Sequence, residues 1–91
     1  MMKTTIAAGL LLAAAGHAAL AADPAFCTNY STAAVRQAHV AHVTPPCAPG
    51  AIGARWTENY RVHYGWCITA PYAAANAERA MRTAYLRSCR G

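Results

Sequence analysis

Residues 23–47 read DPAFCTNYSTAAVRQAHVAHVTPPC, and both ends of a helix are written into them. Asp23 is an N-cap acceptor, and Pro24 occupies the first turn, where its missing amide hydrogen would have had no partner. Pro45 biases Thr44 away from helical geometry and Pro46 repeats the restriction, which bounds the helix to about Pro24–Val43. Within it Cys27, Tyr30, Ala34, Ala38 and Ala41 recur at three-and-four spacing and form one stripe. Small residues let a second helix approach closely but bury little area each, so larger side chains must fill the remaining groove. The expected fold is all-α: a small three-helix domain, a helical hairpin plus a short aromatic helix, with two disulfides.

Downstream, Thr57 is placed to cap the short helix, which runs through Trp66 with Trp56, Tyr60, His63 and Cys67 on one face. The last helix is expected from Ala70 or Pro71 to about Cys89, with Arg87 and Arg90 at its carbonyl-rich end. Its apolar stripe reads Ala74, Ala77, Met81, Ala84 and Tyr85. Leu86 then falls on the arginine side, and Arg79, Arg82, Arg87 and Arg90 face outward. Glu78 precedes Arg82 by one turn and is spaced to pair with it.

Upstream of this domain the chain reads as a leader. Met1 and Lys3 form a positive start, Ile6 to Ala15 is uncharged and apolar, and Ala19-Leu20-Ala21 has the small-x-small pattern of a cleavage site. The expectation is a cleaved signal peptide over residues 1–21 and a single stapled domain over 22–91, periplasmic or secreted. The apolar run is short of the ~20 residues a membrane span needs, so no transmembrane segment is expected in the mature form. The whole chain carries +5; removing Lys3 leaves seven arginines against three carboxylates, or +4. Such a balance favours anionic partners and solubility.

Four cysteines in a small exported chain read as a disulfide framework with three possible pairings. Cys27 and Cys47 flank the first helix, whose ends lie roughly 25 Å or more apart at ~1.5 Å per residue, and a bridge needs α-carbons within ~7 Å. That excludes Cys27–Cys47 and, by the same argument on the last helix, Cys67–Cys89. The nested pairing, Cys27–Cys89 with Cys47–Cys67, follows if the two long helices are antiparallel. The crossed pairing follows if the middle of the chain returns the full length. The middle helix looks half as long as its neighbours, so the nested pairing is the expectation.

For chemistry the chain offers little. Its three carboxylates are far apart, there is no glycine-rich phosphate loop, and cysteines twenty residues apart are not a redox pair, so no enzyme is expected. His39 and His42, with His63, have the residue type of a metal site but lack an acidic neighbour in sequence, and neither a metal nor a cofactor is expected. Arg55, Trp56, Arg61 and His63 sit in the densest aromatic segment, a composition suited to binding. The function read from these features is a small exported non-enzymatic binding or structural protein of the bacterial envelope. Its partner would be an anionic or sugar-bearing envelope polymer or another envelope protein, with no nucleic acid expected. The alternatives are a cationic membrane-active or antimicrobial peptide, and an inhibitor-like peptide using the loop from Thr44 to Gly53.

The chain also resembles a pattern of small exported bacterial four-cysteine helical proteins with no known activity. Cys27, Tyr30, Ala34-Val35 and Gln37 open that pattern. Gly53-x-Arg55-Trp56, Tyr60, His63-Tyr64 and Trp66-Cys67 form its middle, and Glu78, Arg82, Leu86 and Cys89 close it. The resemblance implies export and a shared cysteine framework, and it brings no catalytic residue.

Overall fold

The computed structural model describes residues 20–90. The signal peptide read over residues 1–21 therefore lies, except for Leu20 and Ala21, outside the described residues. Three helices follow: α1 (Pro24–Val43), α2 (Tyr60–Cys67) and α3 (Tyr72–Cys89), with short 3₁₀ turns at Ala48–Gly50 and Ala54–Trp56 between α1 and α2. The small all-α domain with two disulfides is as the sequence predicts. None of the described helices is long and apolar enough to cross a membrane.

α1 begins and ends where its caps require. Asp23 Oδ1 accepts the Phe26 amide at 2.8 Å, and Thr44 leaves the helix with extended backbone, φ −105° and ψ 106°. Its buried face is the predicted stripe of Cys27, Tyr30, Ala34, Ala38 and Ala41, joined by Ser31. α2 starts later than predicted. Asn59 is its cap, accepting the Arg61 amide at 3.0 Å, while Thr57 Oγ1 accepts the Asn59 amide at 3.1 Å and so shapes the turn before the helix.

The disulfides are Cys27–Cys67 and Cys47–Cys89, with α-carbons 5.6 and 5.2 Å apart. The crossed pairing is thus the observed one, and the nested expectation is corrected. α1 and α3 form no antiparallel hairpin. They run parallel: Asp23 meets Tyr72 at one end, Gln37 meets Thr83 midway, and Cys47 meets Cys89 at the other. The reason lies in the connection. Residues 48–59 are 3₁₀ turns and extended backbone, and extended chain covers ~3.3 Å per residue against ~1.5 Å in a helix. That segment carries the chain back only as far as His39, where Glu58 meets His39 and His42, and α2 covers the rest, passing His63 beside Tyr30 and ending with Cys67 beside Cys27.

Each disulfide centres a small core. Around Cys27–Cys67 pack Ala22, Tyr30, Ala34 and Ala75, with Phe26, Tyr64 and Tyr72 against them. Around Cys47–Cys89 pack Ala38, Ala41, Ala51, Trp56 and Leu86, with Val40 and Tyr85. Tyr85 donates its hydroxyl to the Cys47 carbonyl at 2.6 Å, and a Cβ at Gly50 would run into that hydroxyl. Gly53, at φ 89°, makes the turn that an L side chain would strain and leads into Ala54–Trp56.

α3 is rotated relative to the predicted stripe. Its buried residues are Ala75, Arg82 and Leu86, whereas Met81 is 48% exposed and Ala77 and Ala84 face solvent. Arg82, read as outward because it is charged, is 1% exposed. Leu86, which spoiled the predicted pattern, belongs to the core that the true rotation creates.

Candidate functional site

Between the two cores lies a polar layer that opens as a cavity of about 390 Å³ bounded by α1, α2, α3 and the Ala54–Trp56 turn. Tyr30, one turn after Cys27, contributes a wall. Its ring sits 5.7 Å from the Trp66 ring and 6.4 Å from His63. The Arg82 guanidinium carbon lies 5.1 Å from the Tyr30 centroid, within cation–π range. The Cys27–Cys67 bond fixes this geometry, because Tyr30 and Trp66 flank the two bonded cysteines in sequence.

Arg82 is the buried centre of the layer. Its Nε donates to Gln37 Oε1 at 3.1 Å and its Nη1 to the Arg55 carbonyl at 3.4 Å. Glu78 Oε1 is 3.8 Å from Nη1, a looser contact than Glu78 makes with Arg55. There the pair is two-pronged, Arg55 Nε and Nη2 donating to the two Glu78 oxygens at 2.7 and 3.0 Å. These bonds hold the Glu78 carboxyl below its ordinary range and push Arg55 up. Arg82 Nη2 is buried without a hydrogen-bond partner.

His63 is 4% exposed. Its Nε2 is 2.7 Å from the Thr57 carbonyl, which only accepts, so the proton belongs on Nε2. Burial lowers its basicity and the Arg82 charge lowers it further, against the raising effect of the Thr57 carbonyl. The imidazole is therefore neutral at pH 7.

A different arrangement lies along the α1–α3 seam. Two shallow grooves share Gln37, Thr83, Leu86 and Arg90, and their borders carry Arg36, Arg79 and Arg87. Among the described residues, those four arginines have no carboxylate within ion-pair distance. Gln37 divides the two regions: its Nε2 donates to Thr83 Oγ1 at 2.9 Å on the seam, while its Oε1 accepts from Arg82 inside.

The chain's three carboxylates are all engaged elsewhere. Asp23 caps α1 and accepts the Tyr72 hydroxyl at 2.6 Å, the contact that most lowers its carboxyl. Glu58 bridges His39 Nδ1 at 3.2 Å and His42 Nδ1 at 2.7 Å. His42 Nε2 also meets the Ala51 carbonyl at 3.0 Å, so both of its nitrogens face acceptors. The Glu58 bond, with the Ala51 carbonyl second, raises the His42 imidazole above its ordinary value. His63 sits apart from this pair, bonded to Thr57.

Of the binding residues named from sequence, Arg55 and His63 reach the cavity. Trp56 does not: it is 5% exposed, packed 5.0 Å from Tyr85 in the core. The accessible ring is Trp66, at 41%. Arg61 is exposed and outside the cavity. Tyr30, Glu78 and Arg82 were missed as cavity residues, although the Glu78–Arg82 spacing was the available signal. Compared with known proteins, the chain matches no family model, no curated protein and no solved structure.

Proposed function

We propose that this chain is a small exported binding protein of the bacterial envelope that holds an anionic polymer along the α1–α3 seam and performs no catalysis. The observation that carries this reading is the seam itself, where Arg36, Arg79, Arg87 and Arg90 border two adjoining grooves with no carboxylate partner among the described residues. Guanidinium groups pair in two-pronged fashion with phosphate and carboxylate, and neighbouring cations of one sign raise the local concentration of a polyanion. Two disulfides suit an oxidising compartment, which agrees with export. The absence of catalysis is supported by the carboxylates, each committed to a cap, a histidine pair or an arginine and none standing beside a nucleophile.

The test uses oxidised protein and long-chain polyphosphate. Binding should weaken with added salt and fall when Arg36→Gln and Arg87→Gln are combined, while Arg61→Gln leaves it unchanged. Dependence on Arg61 with indifference to the seam pair would contradict the assignment. Anionic vesicles should stay intact under the same protein, since leakage belongs to the membrane-active alternative. An intact mass starting near Ala22 in material recovered from the exported fraction tests the leader.

A further inference from the structure

We propose that the cavity walled by Tyr30, Trp66 and Arg82 is a binding site for a small aromatic monocarboxylate, with Arg82 receiving the carboxylate. This site is separate from the seam and does not depend on it.

Three observations converge. A buried guanidinium is costly unless its donors are satisfied, and such groups are nearly always satisfied in native proteins. Arg82 is 1% exposed, yet Nη2 has no partner. Second, the charges around the cavity do not cancel. Arg55 and Arg82 share one carboxylate, Glu78, which is bonded closely to Arg55 and stands 3.8 Å from Arg82; His63 is kept neutral by burial. One further monoanion balances the site, whereas a dianion overbalances it. Third, the remaining walls are Tyr30, Val62, Trp66 and Ala54. These are flat or apolar, and a volume of about 390 Å³ has room for a small aromatic molecule. An aromatic ring uses those walls, stacking on Tyr30 and Trp66 while its carboxylate faces Arg82.

Nη2 is closed to water in the unliganded protein, so seating the carboxylate requires the Arg55–Glu78 pair that lines the cavity to turn aside. Arg55 is half exposed and has room to do so. The incoming carboxylate then takes Nη2 and shares Arg55, while the ring lies against Tyr30 and Trp66.

The test is calorimetric titration of the oxidised, exported chain with benzoate and phenylacetate, using benzamide, phenylacetamide, glucuronate and inorganic phosphate as comparators at low salt. The aromatic acids should bind saturably, and their amides should not. Arg82→Met keeps the side-chain volume without the buried charge. It should remain folded by circular dichroism and lose about tenfold or more in affinity. Glu78→Gln removes the competing carboxylate and should bind the acids more tightly, an opposite sign that no loss of folding imitates. No binding of either acid at millimolar concentration, equal binding of the amides, a preference for glucuronate or phosphate, undiminished affinity in Arg82→Met, or weaker affinity in folded Glu78→Gln would each overturn the proposal.

Discussion

The cavity and the seam use the same residue type under opposite conditions. Arg55 and Arg82 stand where Glu78 anchors one guanidinium tightly and neighbours the other, which is itself buried. Arg36, Arg79, Arg87 and Arg90 stand in solvent with no carboxylate of the described residues beside them. In the first region charge is costly, so each missing partner matters and specificity for one small anion results. In the second, hydration makes unpaired charge cheap, and the sum of several cations acts on an extended partner. Three carboxylates cannot partner seven arginines, and the fold decides which arginines go without. Gln37, bonded to Arg82 on one side and Thr83 on the other, is the partition between these regimes.

The comparison is broken most completely by removing the cross-links. The loops closed by Cys27–Cys67 and Cys47–Cys89 span 40 and 42 residues, and chain-entropy arguments give each about 4 kcal/mol, against the 5–15 kcal/mol total of a small domain. Reduction of both should unfold the protein, seen as loss of helical circular dichroism. Replacing either cysteine pair by serine should lower stability by roughly 2–5 kcal/mol. The two pairs should differ in what loosens first. Loss of Cys27–Cys67 should free the Trp66 wall, and loss of Cys47–Cys89 should free the Trp56 core.

The two tryptophans sharpen the contrast between core and cavity. Trp56→Ala empties packing against Tyr85 and Leu86 and should cost about 3–5 kcal/mol in chemical denaturation. Trp66→Ala removes a ring that is already 41% exposed and should cost under about 1 kcal/mol while weakening aromatic acids.

The histidines should titrate on opposite sides of their ordinary value, 6.5. His42 is raised by Glu58, so its contribution is present below 6.5 and is lost as pH rises through its folded value. His63 is lowered by burial, so stability is full above 6.5 and falls as pH drops toward its folded value. Ring-proton shifts followed by NMR should separate the two. Amide protection, taken relative to the intrinsic base-catalysed rate, should fall in the 48–59 segment as pH rises and at the start of α2 as pH falls. Co-titration of the two rings at one midpoint would contradict this.

The smallest stability effect belongs to the seam. Arg36→Gln with Arg87→Gln should shift the unfolding free energy by no more than about 0.5 kcal/mol per site, because neither side chain has a partner to lose. Polymer binding should nonetheless fall.

The bounds and buried stripe of α1 were legible because its caps and its alanines are local signals. The pairing of the cysteines was not. A half-length α2 does not return the full length alone; residues 48–59, whose 3₁₀ and extended conformation has no periodicity to read, cover the first part of the return, as far as His39. The face of α3 is hidden from periodicity for a chemical reason. Sequence periodicity counts arginine as outward, and Arg82 is inward because Gln37, Tyr30 and the Arg55 carbonyl, all distant in sequence, receive it. The same fact hides the cavity, since its central residue reads from sequence as a surface residue.

The division of arginines into two anion sites is tested most directly by NMR of the arginine side-chain Nε–Hε groups in the oxidised protein, titrated separately with phenylacetate and with polyphosphate. Phenylacetate should move the Arg82 and Arg55 resonances and leave Arg36 and Arg87 in place. Polyphosphate should do the reverse. Movement of one common set by both ligands would contradict the account, because a single diffuse basic surface would then explain everything attributed to two sites.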